Sequence, residues 1–205
     1  MSGKPACHAT GLAVDVYREL ARTEPTTTYH PKLTHALDTL ATRLAFAGHL
    51  QDALAPAREA VELYRELART DPTAHHPQLA HALRTLAIRS GQAGYLREAV
   101  APARESVDLH RELVESASST SRFFLAQSLW LLSAVAVETG NLADLRLGVA
   151  AAVEAVEMLE QLVEELPGAY DRTLQQARRS KARAYEQLTT APSVDSDTLG
   201  GPQDA

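Results

Sequence analysis

The chain has 205 residues, 45% of them hydrophobic and 5% aromatic, with a formal net charge of −6 and one cysteine. That is enough apolar content for one domain with its own core. The acidic balance excludes a general basic footprint for nucleic acid, and the lone Cys7 excludes an internal disulfide and points to a reducing, cytoplasmic setting.

Residues 1–10 read as a flexible N-terminal segment without the apolar run of a signal peptide. A single helix is expected over 11–22. Three helix pairs follow, 31–47 with 50–70, 77–93 with 96–116, and 120–139 with 142–166, and then a last helix over 168–189. Residues 190–205, rich in Thr, Ser, Asp, Gly and Pro, read as a disordered tail. No stretch reaches the roughly 18 uninterrupted apolar residues of a spanning helix, so no membrane role is expected.

The pairs repeat. Val14-Asp-Val-Tyr-Arg-Glu-Leu20 returns as Val61-Glu-Leu-Tyr-Arg-Glu-Leu67, as Val107-Asp-Leu-His-Arg-Glu-Leu113, and in worn form as Val153-Glu-Ala-Val-Glu-Met-Leu159, at steps of 47, 46 and 46 residues. His30-Pro-Lys-Leu-Thr-His-Ala-Leu37 matches His76-Pro-Gln-Leu-Ala-His-Ala-Leu83 in the same frame, as do Gly48, Gly94 and Gly140. Within a unit, Ala53, Ala57, Ala60, Val61, Tyr64, Leu67 and Ala68 form one stripe of helical period. Pro31 and Pro77 are the expected helix starts and the glycines the stops, while Asn141 with Asp144 resembles a capping box. Turns this short force antiparallel pairs. Pro56, Pro102 and Gly148 share one frame position, and either kink the second helices or mark their late start.

These residues resemble the tetratricopeptide repeat. Leu37, Leu40, Ala41, Leu44, Gly48, Leu50, Ala53, Ala57 and Ala60 match its pattern, as do Leu83, Leu86, Ala87, Gly94, Leu96, Ala99 and Ala103. The third unit keeps Leu129, Gly140 and Leu142 but has Ser133 for the small alanine. The likeness covers residues 11–166, and the period exceeds the family's usual length of about 34, closer to the long-helix variety of kinesin light chains. The resemblance implies an all-α, right-handed superhelix (an α-solenoid) of about eight helices over 11–189. It implies a concave groove that grips a peptide or partner helix.

Carried onto this chain, the groove positions are His35, Asp38, Thr42 and Phe46, then His81, Arg84, Ile88 and Gln92, then Gln127, Trp130, Ala134 and Val137. Trp130 either anchors a partner or fills the seam between helices. The Lys and Asn positions of a carboxylate clamp hold Asp38, Thr42, Arg84 and Ile88, which does not support chaperone-tail binding. The histidines lack the cysteines or clustered carboxylates of a metal ligand set. No phosphate loop or nucleophile with a base is present in the sequence. The functional expectation is a non-catalytic adaptor without cofactor or metal. The alternatives are a ligand-responsive regulatory repeat module and an enzyme using the groove histidines. The helix over 11–22 lacks a covering partner and is the expected homodimer face. At the other end, Arg172, Arg178, Arg179, Lys181 and Arg183 face an acidic preceding helix, as a complementary cap.

Overall fold

In the computed structural model, which describes residues 3–23, 26–114 and 118–191, the backbone forms eight helices and no strand among those residues. They are α1 (Gly3–Thr23), α2 (Thr26–Phe46), α3 (Leu54–Thr70), α4 (Pro72–Gln92), α5 (Leu96–Val114), α6 (Ser119–Glu138), α7 (Leu142–Glu165) and α8 (Asp171–Thr190). Helix α1 begins at Gly3, so most of the segment expected to be flexible is helical. The expected tail lies outside the described residues from 192 onward.

Local chemistry accounts for the boundaries. The glycine stops are real: Gly48 and Gly94 adopt φ of 85° and 88°. Around Gly48, His49 N–H donates to Leu44 O at 2.9 Å and Gly48 N–H to Ala45 O at 3.0 Å. Tyr95 to Ser90 and Gly94 to Gly91 repeat the arrangement, which is a Schellman ending and needs a residue at ease in the left-handed region. Asn141 caps α7 by accepting from Ala143 N–H at 2.8 Å and Asp144 N–H at 3.0 Å, while its amide donates to Asp144. The starts differ from expectation. Helix α4 begins at Pro72, behind Asp71, whose carboxylate accepts from Ala74 N–H at 3.0 Å. Pro77 therefore lies in the second turn, and Pro31 likewise lies inside α2. The carbonyl that Pro77 leaves undonated belongs to Thr73, which is exposed to solvent.

The three in-register helix weakeners have different fates. Helix α3 starts at Leu54, which puts Pro56 in the first turn, where its missing N–H costs nothing. Helix α5 runs through Pro102, and α7 through Gly148. A Cβ on Gly148 would lie 2.7 Å from Val137 Cγ2 and 3.2 Å from Ser133 O, so glycine there lets α7 lie close against α6.

Each helix packs on the next in sequence, and short turns make successive neighbours antiparallel. Beyond that, α2 touches α4, α4 touches α6 and α6 touches α8. Among the described residues, α1, α3, α5 and α7 do not approach one another closely at the backbone. Long side chains join them instead: Arg18 to Glu59, Arg65 to Glu105 and Arg111 to Glu154. The tighter row lies on the inside of the bend, so the inner face is built from α2, α4, α6 and α8. The fold is an all-α solenoid of helix pairs.

The core follows the repeat frame. Leu37, Leu83 and Leu129 are equivalent and almost wholly buried, each worth about 1.5–3 kcal/mol of apolar burial. Alanines such as Ala41, Ala87, Ala99, Ala103 and Ala155 sit fully buried between helices, where a larger side chain would hold the backbones apart. Helix α6 is long and apolar enough to cross a membrane by composition. Half of that window is covered inside the fold, by α5, α7 and their neighbours.

Candidate functional site on the inner face

The inner face places polar chemistry between α2 and α4 and apolar chemistry between α4 and α6. On the first side, the Asp38 carboxylate lies 3.6 Å from His81 Nε2. Burial pushes that carboxyl up, but His81, Thr85 and the charge of Arg89 together hold it below its ordinary range. Arg89 spans the seam, donating to Thr42 Oγ1 at 3.2 Å and to Gln92 Oε1 at 2.8 Å, while its buried Nε has no partner. Burial lowers the Arg89 pKa, against the pull of Asp38.

Arg84 is different. It is half-buried, burial lowers its pKa, and the field of Asp38 opposes that. Among the described residues it makes no hydrogen bond or ion pair. It lines a cavity of about 270 Å³ between α4 and α6 together with Ile88, Gln127, Trp130, Leu131 and Ala134. Arg84 also borders a second cavity of about 340 Å³, bounded by α4, α5 and α6, with Pro77, His81, His110, Leu113, Thr120, Ser121 and Phe124.

The sequence-derived groove positions therefore separate into groups. Arg84, Ile88, Gln127, Trp130 and Ala134 meet at one cavity. Asp38, Thr42, His81 and Gln92 form the polar seam beside it. His35 is exposed on α2, and Phe46, at the last residue of α2, is 87% exposed and joins neither cavity. Val137 does not belong to the groove: it is buried with Leu145, Val149 and Ala184, because α7 and α8 cover the end of α6. Trp130 packs against the central core and lines the cavity, and its Nε1 donates to Ser180 Oγ on α8.

Sequence reasoning missed Leu131, His110 and Phe124. Phe124 and Leu131 fall outside the family's groove positions. His110 did carry a signal, since it stands where Tyr17 and Tyr64 stand in the earlier copies. At the C-terminal end, Arg178 bonds Glu160 on α7 at 2.7 Å and Arg183 pairs with Glu138 on α6. Those two cations are thus held against carboxylates of the preceding helices.

The architecture defines the class: a helical-repeat solenoid with a lined inner face. Among the solved structures that match is BtubC (BKLC) from P. vanneervenii, at 16% identity and a TM-score of 0.56, covering 96% of this chain and 78% of that one. At that identity the likeness concerns the fold. No family model and no curated protein matches the chain.

Proposed function

We propose that the chain is a tetratricopeptide-like, non-catalytic scaffold of the cytoplasm that docks a peptide or helix of another protein along α2, α4 and α6. The observation that carries this reading is the α4–α6 cavity, where Ile88, Leu131 and Trp130 stand beside the Arg84 guanidinium, which makes no hydrogen bond or ion pair among the described residues. Tryptophan and arginine are the residue types that concentrate binding energy at interfaces, because each buries much area and leaves a specific polar contact to satisfy.

Capture of partners from lysate by the wild type, Ile88→Asp and Ala134→Arg tests the reading. Ala134 is exposed, so its replacement reports on docking and leaves the core intact. Loss of the same captured protein by both variants, with unchanged thermal unfolding, is the expected result. Undiminished capture by both ends the proposal.

Self-association is a further part of the reading. Leu12 and Val16 are 54% and 56% exposed on α1. Light scattering should give a dimer mass for the wild type and a monomer mass for Leu12→Arg; a monomeric wild type removes this part alone.

A further inference from the structure

The repeats act as their own control for the cavity at the α4–α5–α6 junction. Ala36, Ala82 and Ser128 are equivalent positions on α2, α4 and α6, and Ala60, Ser106 and Ala152 are equivalent on α3, α5 and α7. All are buried. At this one junction both alanine positions carry serine, and the tyrosine position carries histidine. Burying two hydroxyls and an imidazole where alanine packs elsewhere costs stability unless every polar atom is partnered.

They are partnered. Ser106 Oγ donates to Ala80 O at 2.9 Å, and Ser128 Oγ lies 3.1 Å from both Ser106 Oγ and His110 Nδ1. His110 Nδ1 lies 2.9 Å from Ser106 O. Two acceptors do not approach that closely, so Nδ1 carries the hydrogen. Burial keeps the ring neutral, the backbone bond to Ser106 opposing it in part. The remaining nitrogen, Nε2, is therefore an acceptor on the far side of the ring from the serines. His110 borders the 340 Å³ cavity and stacks on Phe124, at 6.1 Å between centroids and 25° between planes. Its ring is shorter than the tyrosine of the earlier copies, which leaves space at this junction.

The cavity is bordered by His110, by the Arg84 guanidinium, which makes no hydrogen bond or ion pair among the described residues, by the polar side chains of His81, Thr120 and Ser121, and by apolar walls from Phe124, Leu113 and Pro77. Its volume lies at the small end of the range for ligand sites, about 300–1,000 Å³. A planar carboxylate can take two parallel hydrogen bonds from a guanidinium fork. We propose that this cavity binds a small hydroxylated carboxylic acid with an aromatic body, the carboxylate on Arg84 and the hydroxyl donated to His110 Nε2. The site needs no docked protein, so it goes beyond the scaffold reading.

The test is a titration of the full chain with 4-hydroxyphenylacetate, followed by the NMR signals of the histidine rings. Saturable binding that shifts the His110 ring is expected. The neutral analogue 2-(4-hydroxyphenyl)ethanol should bind at least about tenfold more weakly, and Arg84→Met should weaken the acid by at least about tenfold. His110→Tyr, which restores the residue of the earlier copies, should abolish binding while the protein stays folded. No saturable binding, equal affinity for acid and alcohol, or undiminished binding by Arg84→Met would each overturn the proposal. Acid binding retained by Ile88→Asp, with partner capture lost, would separate this site from the docking groove.

Discussion

The indole Nε1 of Trp130 on α6 donates a 2.8 Å hydrogen bond to Ser180 Oγ on α8. This ties the one aromatic ring of the α4–α6 cavity to the terminal helix, and fixes which face of the ring the cavity sees. Ser180→Ala should cost about 0.5–1.5 kcal/mol, the net worth of one such bond. Denaturant unfolding read from the single tryptophan measures it, and an unchanged midpoint would mean that the bond does not hold the ring.

The glycine of α7 makes a sharper prediction. Gly148→Ala would normally stabilise a helix by about 0.5–1 kcal/mol. Here the new methyl meets Val137 Cγ2 and the backbone of α6, and overpacking of this kind costs about 1–3 kcal/mol. The net effect should be a loss on the order of 1 kcal/mol, seen as a lower unfolding temperature; a gain would show that α6 yields easily.

The frame of the fold was legible because repetition amplifies weak signals. Leu37, Leu83 and Leu129 bury in equivalent places, and Gly48 and Gly94 end their helices in the same way. What failed was local. Pro77 looked like a helix start, but Asp71 with Pro72 provides a real cap one and a half turns earlier. The inner-face positions came from a resemblance that concerns only the first helix of each pair. It could not find His110, which belongs to α5, nor see that α8, outside the repeat, buries the end of α6 around Val137.

Histidine 110 should make stability depend on pH. Burial lowers its pKa in the fold, opposed in part by the backbone bond to Ser106, with a smaller lowering from the nearby charge of Arg84 on α4. Below about pH 6.5, the ordinary histidine value, the unfolded chain takes up a proton that the folded ring resists. This contribution is complete above about pH 6.5 and is lost as pH falls toward the lowered folded value. Urea unfolding at several pH values should show stability rising through that window. The His110→Tyr variant should show a flatter profile there, and equal slopes in both proteins would refute the assignment. Asp38 acts in a lower window: its lowered carboxyl pKa contributes stability that is lost under stronger acid.

The bridges of the outer row should be weak and salt-sensitive. Arg65 and Glu105 are each more than one-third exposed, so a double-mutant cycle should give a coupling of about 0.2–1 kcal/mol. It should fall markedly in about 1 M salt, where the screening length is about 3 Å. A coupling indifferent to salt would place the pair in a drier setting than its exposure indicates.

That outer row has a mechanical meaning. Backbone-to-backbone packing along α2, α4, α6 and α8 forms a stiff spine, while the opposite side is strapped together by arginine side chains with several rotatable bonds. Flexing the array therefore costs changes of rotamer and water-exposed charge pairing, with little loss of apolar burial. Ionic strength should therefore set how readily the array flexes about that spine.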